Sequence, residues 1–249
     1  MVWNENIECM DRDTLRKIQD IRLKKMVDYV YHNTPFYRKK MQEMNLTPDD
    51  IRGIDDITKL PFTTKLDLRD NYPFGLCAVP MSQIVRIHAS SGTTGRPTVV
   101  LYTRKDLSVW AECISRAFTA YGASKKDIFQ ISYGYGLFTG GLGAHQGAEN
   151  IGASVIPMSS GNTTKQIQLM HDFGTTVLCC TPSFSLFLAE AIKESGLPRD
   201  EFKLKIGAFG AEPWTENMRH EIEQTLGIKA YDIYGLSEIA GPGVGIECE

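Results

Sequence analysis

Thr175-Thr176-Val177-Leu178-Cys179-Cys180 reads as a continuous apolar strand, with Gly174 closing whatever precedes it. A strand with no polar alternation has no face for water, so it is buried on both sides, as in a parallel sheet covered by helices. Adjacent thiols in such a run act as small hydrophobes. Working outward, the spacing predicts a helix from Thr163, with Thr163 and Gln166 as its cap, and a second helix over 183–195. Strands follow near 204–209 and 229–233, with a helix near 215–226 between them.

Upstream the same alternation holds. Leu107, Trp110, Ala111, Ile114, Ala117, Phe118 and Tyr121 form one face of a helix that Thr103 and Asp106 cap and Gly122 ends. Residues 127–132 are strand-like, a glycine-rich turn leads into a helix ending near Gly152, and 154–157 are again strand-like. Strand and helix alternation of this length predicts an α/β fold with a mainly parallel sheet, right-handed crossovers and flanking helices. The first third is different. Leu15, Ile18, Arg22, Met26 and Val30 fall near helical spacing, Thr34-Pro35 breaks the run, and Thr47-Pro48-Asp49-Asp50 reads as a cap with proline at the first helical position. The expected organisation is a mostly helical segment over residues 1–80 and an α/β core over 81–249.

Composition excludes several partners. With 249 residues and 42% hydrophobic content the chain can bury a real core, as one large domain or two small ones. Lys and Arg total 27 against 30 Asp and Glu, a net charge of -3, with no basic stripe, so nucleic acid is not an expected partner. No apolar run reaches the ~18–20 residues that span a bilayer, and the start is not a signal peptide, so a cytoplasmic protein without membrane contact is expected. The six cysteines contain no Cys-x-x-Cys pair, which argues against a disulfide framework. Cys248 near the end is either an ordinary thiol or one ligand of a metal site without visible partners. Composition leaves a homodimer open.

The chemistry lies in three stretches. Ser90-Ser91-Gly92-Thr93-Thr94-Gly95-Arg96-Pro97 packs hydroxyls and glycines into a loop whose N–H groups can approach a phosphate closely. Strand-like 84–88 and 99–102 flank it, and it lacks the Gly-Lys-Ser/Thr ending of a Walker A loop, which disfavours a P-loop kinase. Ala208-Phe209-Gly210-Ala211-Glu212-Pro213 and Asp232-Ile233-Tyr234-Gly235-Leu236-Ser237-Glu238 each follow a predicted strand, where ligands of parallel sheets collect. In the segment 133–145, Tyr133, Tyr135 and Phe138 alternate with glycines, among them Gly140 and Gly141; this is too aromatic for a flexible linker and suits a substrate pocket for a ring. His145 either orients a carboxylate or satisfies a buried helix.

Together these motifs resemble the adenylate-forming superfamily of acyl-CoA synthetases. Ile57-Thr58-Lys59-Leu60-Pro61-Phe62-Thr63-Thr64-Lys65, Tyr133 to Gly141, and Tyr234-Gly235-Leu236-Ser237-Glu238 are similar to its phenylacetate–CoA ligase branch, and the resemblance runs over nearly the whole chain. Thr98 stands where much of the superfamily has lysine, a substitution usual in that branch. The resemblance implies ATP, Mg2+ and coenzyme A as cofactors and a small aryl acid as substrate. It further implies that Ser90, Ser91, Gly92, Thr93, Thr94 and Gly95 hold phosphates, that Gly210, Ala211, Glu212, Asp232, Tyr234, Gly235 and Ser237 surround the nucleotide, and that Glu238 is the magnesium ligand. The family's catalytic lysine sits on a mobile carboxy-terminal domain, expected beyond Glu249, so no catalytic side chain is assigned here and the chain is expected to be an amino-terminal portion with poor turnover of its own. The alternative is a non-catalytic adenylate-binding or regulatory module of the same fold.

Overall fold

The computed structural model describes residues 1–90 and 97–247. Ser91, Gly92, Thr93, Thr94, Gly95 and Arg96 of the hydroxyl-rich loop, together with Cys248, lie outside the described residues. The chain forms two compact units, Asn4–Arg104 and Lys105 onward, the latter including Met1–Trp3.

In the Asn4–Arg104 unit, α1 (Glu5–Glu8), α2 (Arg12–Asn33), α3 (Pro35–Glu43) and α4 (Lys65–Asp70) precede a hairpin of β1 (Ile84–Ala89) and β2 (Val99–Thr103). The Asp11 carboxylate starts α2 by accepting from the Thr14 amide at 2.9 Å, and Pro35, which cannot continue a helix but can begin one, separates α2 from α3. Val27, Met41 and Ile51 make the small core, with Leu23, Tyr31, Leu46 and Leu60 against it. The buried stripe of α2 therefore runs through Leu23, Val27 and Tyr31, one residue on from Arg22, Met26 and Val30, and leaves Met26 exposed. The Thr47 to Asp50 cap is present, but it starts only a single 3-10 turn, Pro48–Asp50. The hairpin falls within this unit, and its two strands form a separate two-stranded sheet.

The second unit begins with α5 (Arg104–Ala120), whose predicted apolar face is buried; Gly122, at φ 89°, turns the chain out of it. Then β3 (Ile128–Ile131), α6 (Thr139–Asn150), β4 (Ser154–Ile156), α7 (Thr163–Asp172), β5 (Val177–Cys180), α8 (Pro182–Glu194), β6 (Ile206–Gly210), α9 (Glu216–Leu226), β7 (Lys229–Leu236) and β8 (Gly241–Ile246) follow in order. The six-stranded sheet has the order β4-β3-β5-β6-β7-β8, parallel from β4 to β7 with β8 antiparallel at the edge. Every residue of β5 is buried, as its unbroken apolar sequence requires. A core between β5, β6, α8 and α9 includes Leu178, Leu188, Phe209 and Ile222.

Three expectations change. β7 runs on to Leu236 and pairs with β8, so Tyr234 and Gly235 lie within a strand and not after one; Gly241-Pro242-Gly243-Val244-Gly245-Ile246 hides that edge strand because glycine and proline are poor strand signals. α6 begins at Thr139, which makes Gly140, Gly141 and His145 helical. The cap of α7 is Asn162, in left-handed geometry at φ 48°, accepting from the Lys165 amide. Gln166 is one position too far along to cap, and its side chain turns inward.

The strand order fixes where a crevice opens. From β3 the chain crosses to β4 on one side, and from β5 it crosses to β6 on the other, although β3 and β5 are neighbours. Loops leaving adjacent strands in opposite directions leave a gap at their carboxyl ends.

Candidate active site

A cavity of about 510 Å³ occupies that gap. The loop after β3 contributes Ser132, Tyr133 and Gly134, and Phe138 stands at the cap of α6. The start of α8 contributes Thr181, Ser183, Phe184 and Phe187, while Ala211 closes the end of β6 and Ser160 comes from the turn after β4. Four rings thus face one volume. Tyr133 and Phe138 are tilted with centroids 6.4 Å apart, and Phe184 and Phe187 lie 6.2 Å apart at 30°. Phe138 and Phe187 are 42% and 53% exposed, so the cavity keeps apolar surface open to a ligand. Tyr133 is buried, and burial pushes its phenol well above the ordinary value.

The structure brings Tyr133 and Phe138 to the cavity and places Tyr135, Gly140, Gly141 and His145 outside its wall. The Tyr135 hydroxyl meets His145 Nδ1 at 3.0 Å with the rings edge to face, and His145 Nε2 lies 3.1 Å from Glu149 Oε1 on the next turn. That fills both ring nitrogens of His145, the helix-satisfying alternative. A Cβ on Gly141 would stand 2.6 Å from the Gly134 carbonyl oxygen, and one on Gly140 would strike the Phe138 ring. These glycines let the first turn of α6 press against the β3 loop; they do not enlarge the cavity. Phe184 and Phe187 were not foreseen. Their signal is the i, i+3 spacing on a helix that starts right after a doubly buried strand.

The nucleotide candidates are dispersed in role. Gly210 is buried where a Cβ would run into the Ile233 carbonyl oxygen, so it serves the close approach of β6 and β7. Ala211 turns at φ 73° into the cavity wall. Glu212 Oε1 accepts from the Ser183 amide at 2.7 Å, setting a carboxylate on the amino end of α8, whose dipole favours it. Asp232 is tied to structure: Oδ1 accepts from Trp214 Nε1 at 2.8 Å, and its carbonyl accepts from the Tyr121 hydroxyl at 2.6 Å. Tyr234 presents its ring outward, 55% exposed. Gly235 faces the Gly241 carbonyl too closely for any side chain. The Ser237 hydroxyl sits 3.4 Å from Thr139 Oγ1, linking the end of β7 to the start of α6. Glu238 follows on a short 3-10 turn, half-buried. In the other unit, the Ser90 amide donates to the Thr98 carbonyl at 2.9 Å and its hydroxyl accepts from the Thr98 amide at 3.3 Å, which closes the base of the loop at positions 90 and 98.

Among the described residues no group of three His, Cys, Asp or Glu side chains is gathered to hold a metal. A half-buried carboxylate at Glu238, outside any such group, fits magnesium held mainly by phosphate oxygens and water, and does not fit an all-protein cage. No described helix is long and apolar enough to cross a membrane.

The chain is similar to known proteins over nearly its whole length. Residues 16–248 match the family described as AMP-binding enzyme. The chain is 53% identical over 242 residues to the phenylacetate-coenzyme A ligase of Pseudomonas putida, covering 97% of this chain and 55% of that protein. It is 54% identical over 243 residues to the Escherichia coli K12 phenylacetate-coenzyme A ligase, covering 97% and 56%. A solved 2-hydroxyisobutyryl-CoA ligase in the postadenylation state, in complex with R3-HIB-AMP, superposes with a TM-score of 0.92 at 27% identity, over 100% of this chain and 54% of that one. The chain spans about half the length of the relatives it matches.

Proposed function

Given that this chain belongs to the AMP-binding enzyme family, we propose that it forms the nucleotide- and acid-binding part of an AMP-forming ligase that joins phenylacetate, or a related arylacetic acid, to coenzyme A. In the first step a carboxylate oxygen of the acid attacks the α-phosphorus of ATP, and the bond to pyrophosphate breaks. The thiolate of coenzyme A then attacks the acyl carbon, forming the thioester and releasing AMP. The substrate supplies the nucleophile in both steps, so the protein's task is positioning and charge stabilisation.

The observation that carries the reading is the aromatic cavity at the β3/β5 gap, with Tyr133, Phe138, Phe184 and Phe187 around it. These rings take the aryl group and exclude water from it. Ala211 is at the wall where acid and nucleotide meet, and Tyr234 offers its exposed ring to the adenine. Glu238 is the carboxylate we assign to magnesium, which when bound neutralises phosphate charge. Relatives named phenylacetate-coenzyme A ligase, at about half identity, support the choice of acid.

Calorimetric titration in the presence of ATP and magnesium tests it. Burying a phenyl ring contributes on the order of 2 kcal/mol, so phenylacetate is expected to bind roughly thirtyfold tighter than acetate, and Phe187→Ala to erase most of that difference. Equal affinity for the two acids rules out an aryl pocket.

A further inference from the structure

Gln166 is a fully buried amide, 0% exposed, and every hydrogen-bonding position of its side chain is occupied. Its Oε1 accepts from Gln130 Nε2 at 2.7 Å and from the Ser132 hydroxyl at 2.6 Å. Its Nε2 donates to the Ser159 carbonyl at 2.8 Å and to the Gly161 carbonyl at 3.0 Å. Two donors on one side and two carbonyls on the other fix the amide orientation, since a flipped amide would face donor to donor. Gln130 is held in turn by the Thr175 hydroxyl at 3.3 Å, so the network is anchored on β3 and at the start of β5.

The partners belong to two different cavity walls. Ser132 lines the cavity and opens the loop that carries Tyr133 and Gly134; Ser159 and Gly161 bracket Ser160, which lines the cavity from the turn after β4. That turn is not self-supporting: Ser159, Gly161 and Asn162 all have positive φ, at 66°, 83° and 48°. A serine in the left-handed region persists only where its surroundings hold it there. The two segments that carry these walls also touch directly, because the Tyr135 amide donates to Ser159 Oγ at 3.4 Å. We infer that Gln166 is a positioning residue for acid recognition: one buried amide clamps the β3 loop to the turn after β4 and so sets the shape of the aryl cavity. The selectivity half of this inference rests on the proposed function; the clamp itself does not.

Hydrogen exchange of the ligand-free chain reads the clamp. Gln166→Met keeps the volume and removes all four bonds, and is expected to speed exchange at 132–135 and 159–161 by about tenfold or more, with β6 unchanged. Ile222→Val, a buried change in α9 away from both loops, serves as the control for general destabilisation. The milder Ser132→Ala, a fallback should Gln166→Met fail to fold, is expected to loosen 132–135 alone. Unchanged exchange in both loops, or the same acceleration in the control, overturns the inference. Titration of the folded variant is then expected to lower the preference for phenylacetate over acetate by roughly threefold to tenfold with the control's preference intact, because a loosened wall is less preorganised. An unaltered preference overturns the selectivity role. Absence of any preference in the unsubstituted chain instead removes the proposed function, and exchange still decides the clamp.

Discussion

Tyr234 shows how exposure turns a side chain into a usable probe. Its ring is 55% exposed on β7, so removing it takes little from the core. Tyr234→Ala is therefore expected to leave the unfolding midpoint nearly unchanged while weakening ATP binding by the value of one ring–base stack, about 1–3 kcal/mol, measured by calorimetry. Unaltered ATP affinity removes the stacking role. Tyr133 and Phe138, picked out in the sequence as aromatics beside glycines after a strand, line the cavity. Tyr135 and His145, from the same stretch, bond to each other instead, and no spacing rule distinguishes a ring aimed at a cavity from one aimed at a neighbouring imidazole. Gln166 was legible only as a cap, since its partners at positions 130, 132, 159 and 161 are spread along the chain.

At the scale of elements, α6 is a helix whose glycines serve packing. A Cβ on Gly143 would enter the Trp110 ring, and one on Gly147 would enter Ile114, both on α5. β8 presses on the same two side chains through Gly241 and Gly243, and Trp110 Nε1 donates to the Pro242 carbonyl at 2.9 Å. Gly147→Ala would raise helix propensity in isolation, yet here the methyl group meets a fully buried neighbour. Overpacking of this kind costs about 1–3 kcal/mol, so the variant is expected to lose about 2–4 °C of melting temperature per kcal/mol in a domain of this size, read by thermal unfolding. A stabilised variant would show that α5 and α6 have room to separate. The α5 face was legible from its 3.6-residue periodicity. The reason α6 tolerates so many glycines was not, because it depends on which helix lies beside it.

Across the α/β unit as a whole, the two ends of the parallel strands have separate duties. The carboxyl ends hold the cavity, and the amino ends are tied by Asp127, whose side chain is only 1% exposed. Asp127 Oδ1 meets Lys205 Nζ at 2.7 Å and accepts from Thr176 Oγ1 at 2.9 Å, while Oδ2 accepts from the Ser124 amide at 2.8 Å, joining the starts of β3, β5 and β6. Burial pushes this carboxyl up, but Lys205, Thr176 and Ser124 outweigh it and hold the group below the ordinary carboxylate value. A depressed folded value means stability that is complete above the unfolded value of about 3.9 and is lost as pH falls through the lower folded one. Asp127→Asn is accordingly expected to be less stable at pH 7, by about 1.5–3 kcal/mol for the lost charged hydrogen bonds, and to lose less on going from pH 5 to pH 2 in urea unfolding. An equal acid loss in both proteins would exclude Asp127 as a contributor. The sequence by itself determined the alternation of strands and helices, the doubly buried β5 and the motifs that carry the resemblance, because periodicity and turn chemistry act over a few residues. Only the tertiary structure decided that β3 and β5 are neighbours with opposed crossovers, that Phe184 and Phe187 join Tyr133 and Phe138 around one cavity, and that Gln166 clamps its walls. Strand order and side-chain convergence are set by packing between segments far apart in the chain, and no local pattern encodes them.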